Sequence, residues 1–259
     1  MLKGIFVIVL FGLLVSCKTS KNTELIAAET PSFAVDSRKD VLFDSSRNRK
    51  IPIVIYQPKT SQKLAPSYFV VISHGYGFNK GNPYLGYSFI AENLAKKGCF
   101  VVSVQHELPT DDLLAIDGDL RTTRKPNWEK GVQNILFVTN YLKAVIPTLT
   151  ASQLVLIGHS NGGDMSVLFA EKHPDKTHKV FTLDNRRMPI PRVEKPTFYS
   201  MRSSDQPADE GVLPSPEEQE KLGHIILQTN IKHNSMCNDA SQEEQELILS
   251  FIEKHLLVK

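Results

Sequence analysis

Cysteine is scarce in this chain, with three in 259 residues. Setting Cys17 aside leaves Cys99 and Cys237, so the sequence allows one disulfide and supplies no geometry for it. No Cys/His spacing suits a metal site, and neither a metal nor an organic cofactor is expected. The chain also lacks an internal repeat, a low-complexity tract and any second long apolar run after its first residues. Neither sign of charge predominates: 30 Lys and Arg stand against 28 Asp and Glu, and the basic residues are scattered. A nucleic-acid partner is therefore not expected.

What is present begins with a positive start at Met1–Lys3 and an apolar stretch from Gly4 to Val15. That stretch is too short to span a bilayer as a mature helix and has the form of an export signal. Leu14-Val-Ser-Cys17 resembles the lipobox of bacterial lipoproteins. The resemblance implies a signal peptide over residues 1–16, cleavage before Cys17, and acylation of that cysteine (palmitate among the chains). Several acyl chains make a stable anchor where one does not. Residues 17–37 are polar and aperiodic, as expected of a lipidated N-terminus and flexible tether. Lys18 is not the aspartate associated with inner-membrane retention, so an exported protein on the outer membrane is expected. Residues 38–259 remain for one domain with a sizeable core.

Within that domain, apolar runs and amphipathic stretches alternate. Strands are expected over 51–56, 68–73, 99–104, 153–159, 178–184, 196–202 and 225–230. Helices are expected over 85–97, 128–145, 216–222 and 241–256, with one more directly after Ser160. Pro52 argues that its strand lies at an edge. The alternation predicts an α/β fold, a mostly parallel sheet covered on both faces. No helical pattern appears between Asp184 and Pro196, where a lid domain would be inserted, so little or no lid is expected.

Gly158-His-Ser-Asn-Gly162 follows the buried-strand pattern of Leu154–Ile157 and precedes a helix. Glycines on both sides of Ser160 suit a sharp strand-to-helix turn that exposes a nucleophilic hydroxyl. A serine needs a base and a set of donors for the developing oxyanion. The donors expected are the backbone amides of Tyr76, in His74-Gly-Tyr-Gly77, and of Asn161 beside the nucleophile. The base expected is His233, after the last strand; His106 is read as a pocket-lining or structural group. The acid that orients the base is Asp205 or Asp184, with Asp205 preferred by its place beyond a late strand and Asp209 third. Arg186 and Arg187 are read as a solvated or salt-bridged pair.

From residue 51 onwards the chain resembles the α/β-hydrolase superfamily, and within it the platelet-activating-factor acetylhydrolase and dienelactone-hydrolase-like branch. The segments that carry the likeness are Ser73-His-Gly-Tyr-Gly77, Val104-Gln-His106, Gly158-His-Ser-Asn-Gly162, Leu183-Asp-Asn-Arg-Arg-Met-Pro189 and Lys232-His-Asn-Ser-Met236. The acetylhydrolase pattern implies Asp184 as the acid, whereas the wider superfamily implies Asp205. The activity implied is hydrolysis of a small-molecule carboxylic ester through an acyl-enzyme. Peptidase or thioesterase chemistry on the same residues, or a binding lipoprotein without catalysis, are the alternatives.

Overall fold

The computed structural model describes residues 1, 32–60, 65–66 and 68–257. The expected signal peptide (Met1 apart), the lipidation site Cys17 and the tether up to residue 31 lie outside the described residues. Eight strands form one sheet: β1 (Val35–Asp44), β2 (Arg49–Pro58), β3 (Tyr68–Ser73), β4 (Phe100–Val104), β5 (Gln153–His159), β6 (Lys179–Leu183), β7 (Thr197–Arg202) and β8 (Ile225–Gln228). Their order is β1-β2-β4-β3-β5-β6-β7-β8. The first two are antiparallel to their neighbours, and β4-β3-β5-β6-β7-β8 run parallel.

The unbroken apolar runs of β3 and β5 follow from burial on both faces. Phe69, Val71, Leu154 and Leu156 belong to the core shared with α2 (Leu120–Val145) and α3 (Asn161–Lys172). The alternate residues Val70, Ile72, Val155 and Ile157 belong to the core shared with α1 (Ser88–Lys96) and α5 (Gln242–Leu256). Two hydrophobic layers thus sandwich the sheet, and α4 (Pro216–Leu222) buries none of its residues. No helix forms between β6 and β7 among the described residues.

Register brings the chemistry to one rim. Ser73 pairs with Gly158, and His159 with Leu183, so β3, β5 and β6 end side by side at their carboxyl ends. In a parallel sheet that rim is where ligands bind.

Three features depart from expectation. β1 begins at Val35, inside the segment expected to be tether, and Phe33 already donates its amide to Lys96. α2 begins at Leu120 rather than Trp128 and runs through Pro126; Asp119 caps it by accepting from the Arg121 amide. Burial of Trp128, Val132, Ile135, Val138 and Leu142 anchors the helix and overrides the proline. β2 is not an edge strand, since β1 covers it. Pro52 is tolerated there because it lies just beyond the last β2–β4 pair, Ile53 with Val104. Its carbonyl accepts from the Gln105 amide, and the missing donor falls at the end of the ladder. Cys99 and Cys237 are both free, so the disulfide that composition allowed is not formed.

Candidate active site

Ser160 sits at φ 51, ψ −120, between the end of β5 and the first turn of α3. A non-glycine residue holds such a conformation only where its surroundings enforce it. Here its amide donates to Leu183 and its carbonyl accepts from Asp164. The flanking glycines are sterically required. A Cβ on Gly158 would stand 2.4 Å from the Gly162 carbonyl oxygen, and one on Gly162 would stand 2.3 Å from that of Ser73. The turn therefore packs backbone against backbone and leaves the serine hydroxyl at the rim.

His233 reaches that hydroxyl from a short turn after β8. Its Nε2 lies 2.8 Å from Ser160 Oγ, and its Nδ1 lies 2.5 Å from Asp184 Oδ2. A carboxylate accepts, so Nδ1 carries the proton and Nε2 is left to accept from the serine. Asp184 is fully buried at the end of β6, with φ 61. Burial alone would push its carboxyl up. The His233 hydrogen bond, the Arg202 guanidinium, and the amide and hydroxyl of Ser203 more than offset that and hold it below the usual carboxylate range. Arg202 Nη2 lies 2.8 Å from Asp184 Oδ1 as a charge contact rather than an aligned hydrogen bond.

Asp205, the acid preferred from sequence, does not reach the imidazole ring. It is exposed, and its Oδ1 accepts from the backbone amide of His233 at 2.7 Å. It anchors the turn that carries the ring, while Asp184 contacts the ring itself. The two carboxylates thus divide between them the one task that sequence assigned to either.

The other expected residues surround the serine. The amides of Tyr76 and Asn161 donate to no acceptor among the described residues. The Asn161 side chain is occupied by α2, accepting from Trp128 Nε1 at 2.8 Å and donating to Asn127 Oδ1 at 2.9 Å. Beyond Tyr76 the chain turns sharply, with Phe78 and Asn79 both at φ 56. Glu107 braces that turn: its buried carboxylate accepts from the Gly77 and Asn79 amides. Burial pushes its carboxyl up, and those two amides pull it only part of the way back. His106 is structural, with Nε2 at 3.0 Å from Ser73 Oγ and its amide donating to His74 Nε2.

Asp164, Glu107, Asn127 and Trp128 carry no motif, and sequence reasoning did not find them as site residues. Asp164 is the clearest case: one buried oxygen accepts from the amides of Arg186, Arg187 and Met188, shaping the loop after Asp184. Burial pushes its carboxyl up to about 6 against the pull of those amides. Neither Arg186 nor Arg187 forms a salt bridge among the described residues; the Arg186 guanidinium bonds to Gln206 and to the Pro207 carbonyl.

No family model matches the chain, and no curated protein matches it. Solved structures do. Thermogutta terrifontis esterase 2, in a form phosphorylated by paraoxon, is 14% identical with a TM-score of 0.61, covering 89% of this chain and 96% of its own. A dienelactone hydrolase from Anabaena variabilis is 14% identical with a TM-score of 0.57, covering 84% and 96%. A dienelactone hydrolase-like promiscuous phosphotriesterase from metagenomic libraries is 15% identical with a TM-score of 0.56, covering 77% and 84%. What this chain shares with them, over most of its length, is the α/β-hydrolase fold.

Proposed function

We propose that the protein is a serine hydrolase that cleaves carboxylic esters of small molecules through an acyl-enzyme. The observation that carries this reading is the unbroken contact from Asp184 through His233 to Ser160. In the proposed cycle Ser160 Oγ attacks the ester carbonyl while its proton passes to His233 Nε2. The amides of Tyr76 and Asn161 receive the charge on the tetrahedral oxygen. His233 then protonates the leaving alcohol, and Asp184 stabilises the imidazolium without itself taking the proton. A water molecule, deprotonated by the same ring, releases the acid and restores the serine. The neighbouring esterase that is phosphorylated by paraoxon supports a nucleophile of this type on the same fold.

A fluorophosphonate probe tests the reading: it should label the protein once per chain, and Ser160→Ala should abolish the label. Labelling that persists in Ser160→Ala would transfer the nucleophile elsewhere. Turnover of aminoacyl-anilides in preference to p-nitrophenyl esters would replace esterase with peptidase.

We further propose that residues 1–16 direct export and that Cys17 is acylated, holding the hydrolase on a bacterial membrane, the outer one in a cell that has two. The support is the sequence of the leader alone. Labelled palmitate should enter the wild-type protein and not Cys17→Ser, which should leave the membrane fraction.

A further inference from the structure

One run of hydrogen bonds, buried at all but its first link, joins three parts of the site without touching the reacting atoms. The Gly75 amide donates to Tyr87 Oη at 3.0 Å. Tyr87 Oη lies 2.8 Å from His159 Nδ1, and His159 Nε2 lies 2.9 Å from the His233 carbonyl oxygen. The polarity of every link is forced. The His233 carbonyl only accepts, so His159 Nε2 carries the one proton of the neutral ring. Nδ1 is then bare, and the phenol must donate to it while its oxygen accepts from the Gly75 amide.

Each anchor is at, or one residue from, a group of the proposed mechanism. Gly75 precedes Tyr76, His159 precedes Ser160, and the last acceptor belongs to His233. The fit is close: a Cβ on Gly75 would stand 2.9 Å from His159 Nδ1, and the His159 and His233 rings lie 4.9 Å apart. Burial pushes the Tyr87 phenol well up. It pushes the His159 ring down to about 3, with the His233 and His74 rings adding to the shift and the His233 carbonyl and Asp184 opposing it. Both groups therefore stay neutral.

We propose that Tyr87 and His159 are positioning residues, whose hydrogen-bond run holds the Tyr76 amide, the Ser160 turn and the His233 turn at one spacing. This rests on the serine-hydrolase reading above. The run restrains backbone, not substrate, so its loss should slow the chemical step more than it weakens binding.

Three variants test it: Tyr87→Phe removes the hydroxyl, His159→Leu removes donor and acceptor together, and His159→Gln keeps one of each. With a p-nitrophenyl ester, kcat should fall about 10- to 100-fold in Tyr87→Phe and His159→Leu, with KM changed less than about threefold. His159→Gln should recover about a tenfold part of the His159→Leu loss. Nitrogen-detected NMR of the wild-type protein at pH 7 should place the His159 proton on Nε2. A proton on Nδ1, a His159→Gln variant no faster than His159→Leu, or a rise in KM at constant kcat would each overturn the proposal. Wild-type protein that turns over no ester would overturn the hydrolase reading and the positioning role with it, while the tautomer spectrum still decides whether the run exists.

Discussion

Ser160 and Asp184 both hold positive φ values, 51 and 61, and are joined through a single imidazole. Each is pinned by its own amide, Ser160 to Leu183 and Asp184 to Met201, so the strain at both is set by neighbouring strands. The two aspartates of the site should respond differently to neutralisation. Asp184→Asn should lower kcat about 10³- to 10⁴-fold, because an amide no longer holds the ring in its working tautomer or offsets its charge. It should also lower the melting temperature, since Arg202 would be left buried beside a neutral group. Asp205→Asn removes only a restraint on the His233 amide and should cost about tenfold or less. Steady-state kinetics and a thermal melt of both variants check this. Sequence could not separate the pair because each aspartate follows a strand end in a polar segment beside arginine. The difference lies in burial and in the backbone angle at Asp184, neither of which residue identity reveals.

At the scale of elements, the loops of the rim are held by buried charge and the turns by close backbone packing. Asp111, in the loop between β4 and α2, pairs with Arg49 and Lys130 and accepts from the Leu108 amide. Burial pushes its carboxyl up, but the Arg49 bond, the Leu108 amide and Lys130 together bring it down to about 2. A folded-state value below the unfolded one, about 3.9, stabilises the fold fully above that pH and loses the contribution as pH falls towards 2. Solvent screening at this half-buried site reduces that contribution, so Asp111→Asn should cost about 1 kcal/mol at pH 7, with the gap narrowing on acidification. Urea melts at pH 7 and pH 3 measure it. The turns should discriminate sharply between two added methyl groups. Gly162→Ala drives a Cβ into the Ser73 and His74 carbonyls, and no backbone there can yield, so loss of the folded protein is expected. Gly131→Ala meets only the flexible Met165 side chain and should cost about 1–3 kcal/mol. Soluble yield and denaturant midpoints tell the two apart. Most elements were legible as apolar runs, because strands buried on both faces cannot hide their composition. β1 was not, since most of it is exposed, its first three residues fall in the expected tether and the rest carries no apolar run. The first two turns of α2 were not either, since they carry basic residues and Pro126 and depend on packing further along.

At the scale of the molecule, β1 closes one side of the sheet with a ten-residue antiparallel pairing to β2. A variant beginning at Ser32 keeps β1 and should retain kcat/KM within about twofold, because every contact described for the site comes from later residues. One beginning after Asp44 exposes the whole edge of β2 and should aggregate or fail to fold. Size-exclusion chromatography and ester turnover of the two truncations check this pair. By itself the sequence determined the alternation of strands and helices, the strand-turn-helix around Ser160, and His233 as the histidine beyond the last strand. Those are properties of short segments, where local composition and steric need leave little choice. Strand order, the exchange of roles between Asp184 and Asp205, and the buried links through Glu107, Asp164, Tyr87 and His159 were decided only by tertiary structure. Each of these depends on which strand ends lie side by side, and that is set by packing across the sheet between residues far apart in the chain.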